Sequence, residues 1–139
     1  MQLTRHTDYA IRTLMYLAEH SGPERVQIQS VCEYFSISQN HLSKVVNSLA
    51  KHGFIDSQRG RGGGICLGKS PTEIKLGDII RLMEASLNPI DCNKPPCVLR
   101  NGCQFKGIIN EAMQAFLATL DNYTLADIND QDLQVLRLY

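Results

Sequence analysis

"SISQNHLSKVVNSLAKHGFIDSQRGRGGGICL", residues 36–67, decides the fold. Leu42, Val45, Val46 and Leu49 recur at i, i+3, i+4 and i+7, which is one face of an α-helix. Ser38 is a good N-cap and Gly53 a C-cap, so the spacing predicts a helix over 38–53. Its opposite face carries Asn40, His41, Lys44, Asn47 and Lys51. Upstream, "IQSVCEYF" (28–35) reads as a short helix with Ile28, Val31, Cys32 and Phe35 turned inward. Only "SIS" separates the two, a tight turn, and two helices so joined form a helix-turn-helix. Downstream, the strand-like runs "FIDSQ" and "GICL" flank "RGRGGG", which reads as a β-hairpin with a long tip. A helix-turn-helix followed by such a hairpin is a winged helix.

The rest of the chain arranges itself around that unit. "TDYAIRTLMYLAEH" places Tyr9, Ile11, Leu14, Met15, Leu17 and Ala18 at helical spacing, predicting a first helix from about residue 4 or 7 to 20, ended by "SGPE". "SPTEIKLGDIIRLMEAS" predicts a helix at about 75–85, and a loop follows over 86–103. The longest helix begins near Cys103 and runs to about Asn122. Its stripe of Phe105, Ile108, Ile109, Ala112, Met113, Phe116, Leu117 and Leu120 is too wide for a solvent-exposed helix, which favours pairing with a second copy. "TLAD" (124–127) has the Thr-x-x-acid pattern of a capping box and starts a last short helix. The expectation is a mainly α fold with a small β-wing. It divides into a winged helix-turn-helix DNA-binding domain over 1–85, a cysteine loop over 86–103, and a dimerisation helix with a C-terminal tail over 104–139.

Composition narrows the class of function. Apolar residues at 43% and charged residues at 20% describe an ordinary soluble protein. The polar start "MQLTRHTDYA" is no secretory signal, and no apolar run reaches membrane-spanning length, so the expected location is cytoplasmic. A net charge of +0 hides an asymmetry. Residues 1–70 carry eight Lys/Arg against five acids, and the remainder carries six against nine. A basic first half suits contact with a polyanion.

That polyanion is DNA. The N-terminal end of a recognition helix points into the major groove, and Ser38, Gln39, Asn40, His41 and Lys44 cluster there, with Asn47 one turn on. Asn and Gln can pair with adenine, Lys with guanine or phosphate. "RGRGGG" lacks the Gly-Lys-Ser/Thr ending of a phosphate-binding P-loop. Arg59 and Arg61 on that glycine stalk instead suit a minor groove. Arg12 on the first helix completes the candidate DNA contacts. A two-fold protein would read a palindromic operator with half-sites about one or two helical turns apart.

"DCNKPPCVLRNGC" (91–103) holds three of the five cysteines, Cys92, Cys97 and Cys103. Thiolates are soft ligands for zinc or iron–sulfur clusters. C-x4-C-x5-C is neither a zinc-finger nor a low-potential ferredoxin spacing, and "QFKGIIN" after it offers no His or Cys as a fourth ligand. Cys32 and Cys66 belong to the helix-turn-helix and the wing and read as small buried hydrophobes. Zinc and a thiol–disulfide redox switch stay open as alternatives. An enzyme with a cysteine nucleophile lacks a base, since all four histidines lie in the first half.

Together, "TDYAIRTLMYLA", "SQNHLSKVVNSLAKHGFI", "RGRGGGICLGK", "IKLGDIIRLME" and the cysteine loop resemble the Rrf2 family of winged-helix transcriptional regulators. "FLATLDNYTLADI" is similar to the branch of nitric-oxide-sensing repressors, and the resemblance covers essentially the whole chain. It implies a homodimer with one iron–sulfur cluster per subunit, 4Fe–4S favoured over 2Fe–2S, held by Cys92, Cys97 and Cys103. It also implies a fourth ligand from the first helix of the other subunit, a place that Asp8 occupies here. The branch of iron–sulfur assembly regulators uses instead a His shortly after the third cysteine, and this chain has none. The function implied is a DNA-binding repressor that releases its operator when nitric oxide attacks the cluster.

Overall fold

The computed structural model describes residues 2–128. Five α-helices and one hairpin follow in order: α1 (Arg5–Glu19), α2 (Ile28–Phe35), α3 (Gln39–Lys51), β1 (Ile55–Gln58), β2 (Gly64–Leu67), α4 (Leu76–Met83) and α5 (Gln104–Leu120), with a 3-10 turn at Pro71–Glu73. A further helical turn starts at Leu125. Residues 129–139, the end of the segment expected to hold the dimerisation helix and C-terminal tail (104–139), lie outside the described residues.

The apolar spacing does what its periodicity requires. Leu42, Val45, Val46 and Leu49 of α3 are fully buried, together with Ala10, Leu14 and Leu17 of α1 and Val31 of α2. The turn from α2 to α3 is made by Ser36 in the left-handed conformation (φ 55) and pinned by Ile37, whose N–H donates to Cys32 O at 2.9 Å. Ser38 is the N-cap of α3 in backbone terms, but its side chain caps nothing. Its Oγ instead meets His41 Nδ1 at 3.0 Å. Gly53 follows the end of α3 with φ 75, the residue type that region favours.

β1 and β2 pair antiparallel, Ile55 opposite Leu67 and Gln58 opposite Gly64. The sequence predicts only a break at "SGPE" (21–24) before α2, but the segment supplies a third strand position. Val26 bridges Ile65 with two backbone hydrogen bonds of 2.9 and 2.8 Å. The wing is thereby sewn to the chain between α1 and α2.

α4 packs on α1 and also carries α5. Ile80, Met113 and Leu117 form a second small core, with Leu87, Phe116 and Leu120 against it. Arg81 makes a two-pronged bond to Asp121 at 2.6 and 2.7 Å. Leu125 then returns to the main core, its N–H donating to Ile74 O at 2.8 Å. Only half of the predicted Thr124 capping box forms: Asp127 Oδ2 accepts from Thr124 N–H, but Thr124 Oγ1 donates to that same oxygen and Asp127 N–H donates to Thr124 O. Only Met113 and Leu117 of α5 are buried, while Phe105 and Ile108 stand 59% and 62% exposed.

Candidate nucleic-acid interface and cysteine loop

Every residue proposed to meet DNA lies on the surface: Arg12, Ser38, Gln39, Asn40, His41, Lys44, Asn47, Arg59 and Arg61. Gln39 and Asn47 of α3 share one open cleft with Arg59 at the start of the wing. Gln27, Gln29 and Ser57 line the same cleft. These three were not among the sequence candidates. The signal for the first two is a pair of glutamines at the start of α2, which helical periodicity leaves unassigned, and Ser57 on β1 carries no signal of its own. Arg61 sits on the wing tip outside this cleft, and Arg12 belongs to α1, away from it.

The cleft has a rigid wall. Gln27 Nε2 donates to Gly63 O at 2.6 Å. Arg25 Nη2 donates to Asp56 Oδ2 at 2.6 Å, and its Nη1 donates to Asp56 O at 3.0 Å and Cys66 Sγ at 3.4 Å. Gly63 turns where no side chain fits, since a Cβ there would lie 2.4 Å from Gln58 O and 2.8 Å from Gly60 O. The arrangement offers hydrogen-bonding side chains and positive charge on one concave face, the chemistry that reads base edges and phosphates.

Arg12 has a defined place. Its Nε donates to Asp8 Oδ1 at 2.8 Å, one helical turn earlier, and its guanidinium stands 5.9 Å from the Phe35 ring on α2. So the candidate ligand and a candidate DNA contact hold each other.

The second site is the loop from 86 to 103. It is a succession of turns: Cys97 N–H donates to Cys92 O at 3.0 Å, Arg100 N–H to Cys97 O at 3.3 Å and Gly102 N–H to Leu99 O at 3.1 Å. Cys103 is the N-cap residue of α5. All three thiols are free, Cys97 exposed and the other two half-buried. Cys32 is buried, and burial pushes its thiol up, which keeps it protonated. Among the described residues, no three Cys, His, Asp or Glu side chains gather into a metal-holding group. The donor chemistry nevertheless fits an iron–sulfur cluster, because three accessible free thiols in one turn-built loop are its ligand type.

The start of this loop is tied to α1. Glu84, just after α4, accepts at Oε1 from Thr4 N–H at 2.7 Å, from Thr4 Oγ1 at 3.1 Å and from Thr7 Oγ1. Burial presses the Glu84 carboxyl upward, but the bonds from Thr7 and Thr4, with His6 nearby, outweigh it and hold the group below its ordinary value.

The model of the family described as Rrf2, iron-dependent transcriptional regulator, matches residues 3–131. The chain belongs to the Rrf2 family. It is 43% identical over 141 residues to the HTH-type transcriptional regulator NsrR of Bacillus subtilis, spanning 98% of this chain and 97% of that one. It is 44% identical over 131 residues to NsrR of Bacillus licheniformis, 92% of each. Among solved structures, IscR of T. potens superposes with a TM-score of 0.74 at 30% identity, covering 92% of this chain and 85% of that one. This Rrf2 protein is therefore a transcriptional regulator and not an enzyme, with the mainly helical winged fold its sequence implied. Among the described residues, no helix is long and apolar enough to cross a membrane.

Proposed function

We propose that this Rrf2 protein is a homodimeric repressor that binds a palindromic operator and releases it in response to nitric oxide. The observation that carries the reading is the pairing of two features in one chain: a cleft shared by α3 and the wing, and a loop of three free thiols with no further Cys or His beside it in sequence. Its 43% identity to a regulator named NsrR supports the nitric-oxide branch. Cys92, Cys97 and Cys103 would hold one iron–sulfur cluster per subunit, 4Fe–4S rather than 2Fe–2S, with Asp8 of the partner subunit in the fourth place. When bound, such a cluster supplies the reactivity toward nitric oxide.

The chain's own residues then do the switching. Asp8 has two alternatives, Arg12 of its own helix or the loop of the other subunit. While Asp8 serves the loop, Arg12 is free to meet a DNA phosphate. When that ligation is lost, Asp8 takes Arg12 back into the 2.8 Å pair and the contact is withdrawn. The exposed Phe105 and Ile108 of α5 supply an apolar face for the second subunit.

The test is an iron and sulfide assay on protein purified without oxygen, read beside operator binding on the same sample. Cys97→Ala is expected to lose the iron and the operator affinity, and Cys66→Ala to keep both. A colour-retaining, iron-replete Cys97→Ala protein overturns the ligand assignment. Iron-free parent protein that binds one zinc per subunit returns the zinc alternative.

A further inference from the structure

We propose that Glu84 is a positioning residue, a latch within one subunit that carries the state of the cysteine loop into the N-terminus of α1. The inference rests on the proposed function only in giving the loop and Asp8 their roles. The latch itself stands on geometry. A single carboxylate oxygen takes three donors from residues 80 and 77 positions away, Thr4 N–H, Thr4 Oγ1 and Thr7 Oγ1. Thr7 is fully buried, so its hydroxyl cannot exchange this partner for water. Thr4 is the N-cap of α1, and Asp8 N–H donates to Thr4 O at 3.2 Å in the helix's first turn. Holding Thr4 therefore sets the turn that carries Asp8, and Asp8 in turn holds Arg12.

The other end of the latch is the start of the loop. Glu84 N–H closes α4 on Ile80 O at 2.9 Å, and Leu87, three residues on, packs against Met113 and Leu117 of α5. Beneath the latch lies a small cavity between Leu3, Leu87, Pro89 and Phe116. It leaves room for this junction to repack without disturbing the main core. Three bonds on one carboxylate oxygen tie the start of the loop to α1 and are proposed to be made in a latched state and broken in an open one, a two-state element of the kind coupling requires. With Asp8 reaching across the dimer, each subunit would have one tie within itself and one to its partner. The two loops would then be linked in a ring, and what happens at one would be felt at the other.

The test uses full-length, reduced, metal-free protein and the rate at which N-ethylmaleimide labels each cysteine. Glu84→Ala is expected to label Cys92 at least about fivefold faster, the low end of coupling between linked sites, while buried Cys32 keeps its parent rate. Glu84→Gln keeps an acceptor oxygen and is expected to stay near the parent. Thr4→Ala with Thr7→Val, changed on α1 alone, is expected to speed Cys92 equally and to add nothing to Glu84→Ala, because both remove one interaction. Unchanged Cys92 labelling, or a parallel rise at Cys32, overturns the latch: the first means no coupling, the second a merely structural carboxylate. Loaded Glu84→Ala is expected to hold iron as the parent does but to bind operator about fivefold more weakly. Parent-like operator binding by that sample means the latch does not reach the DNA-binding head and overturns the proposal. A parent that holds no iron defeats the cluster reading, and the labelling still decides the latch.

Discussion

The wing and the cysteine loop are both short connections rich in glycine or proline, yet the protein holds them in opposite ways. The wing, between β1 and β2, is clamped from three sides by Val26, Arg25 and Gln27. Ile55 and Ile65 anchor its strands in the main core. Among the described residues, the loop from 86 to 103 has only its own turn hydrogen bonds and ends on α5, and Val98 is 96% exposed. The difference matches the work each is given. A surface that reads DNA needs side chains held in fixed register, since binding energy is lost to ordering if they are not. A loop that must gain and lose a ligand set has to move between arrangements, and such segments come from the less stable end of a structure.

The largest effect comes from cutting into the fixed half. Leu42 is fully buried beneath the recognition face of α3, so Leu42→Ala is expected to cost about 2–5 kcal/mol of stability and to lower operator affinity with it. Val98→Ala in the loop is expected to change stability by less than about 0.5 kcal/mol. Denaturant unfolding of the two variants checks the contrast. Equal losses would mean that the loop is part of the folded core.

Much of this division can be read in the sequence, for a physical reason. α1, α2 and α3 repeat at about 3.6 residues, and periodic burial leaves a periodic trace, while the wing strands stand out only as short runs holding apolar residues beside glycines. What has no period stays hidden. The bridge from Val26 to Ile65 is a single residue pair across 39 positions, and "SGPE" beside it disguises it as a simple break. Glu84 looks like the polar end of an amphipathic helix, and nothing local announces that its partners are Thr4 and Thr7. Gln27 and Gln29 enter the cleft because the wing folds back over α2, a tertiary event. Candidate residues could be nominated where chemistry is local, as in the cysteine spacing and the arginines of the wing. The site was illegible where distant segments meet.

Gly63 and Gly102 sharpen the comparison at an intermediate scale. A Cβ on Gly63 would press into the backbone of Gln58 and Gly60, whereas one on Gly102 meets nothing within 4 Å. Gly63→Ala is expected to shift the wing tip and to destabilise by about 1–3 kcal/mol. Operator affinity is expected to fall with it, while iron content is retained. Gly102→Ala is expected to leave stability within about 0.5 kcal/mol. Fluorescence anisotropy on labelled operator, beside thermal unfolding, reads both. A Gly63→Ala protein with parent affinity would mean that the wing does not touch DNA.

A similarly small change in stability is expected at Asp8, where the fixed and movable halves meet. Its pair with Arg12 is an exposed i, i+4 contact, with both side chains nearly half accessible. Such pairs are worth about 0.3–0.5 kcal/mol, so Asp8→Ala is expected to unfold almost as the parent does. Binding separates the readings where stability cannot. In metal-free protein Asp8 has no competing role and holds Arg12, so removing the carboxylate frees a cation. Metal-free Asp8→Ala is therefore expected to bind operator more tightly than metal-free parent. Its affinity is expected to fall more steeply with salt, the slope growing by about 0.9 for each additional phosphate that a freed Arg12 neutralises. Arg12→Ala added to that variant is expected to erase the improvement. The loaded proteins are expected to show the reverse order, the parent binding more tightly, because there Asp8 is proposed to tie the subunits together. An unchanged salt slope in metal-free Asp8→Ala would leave Asp8 as an acid at a helix N-terminus, stabilising only through the helix dipole. The signal from the loop would then have to travel through Glu84 and α5.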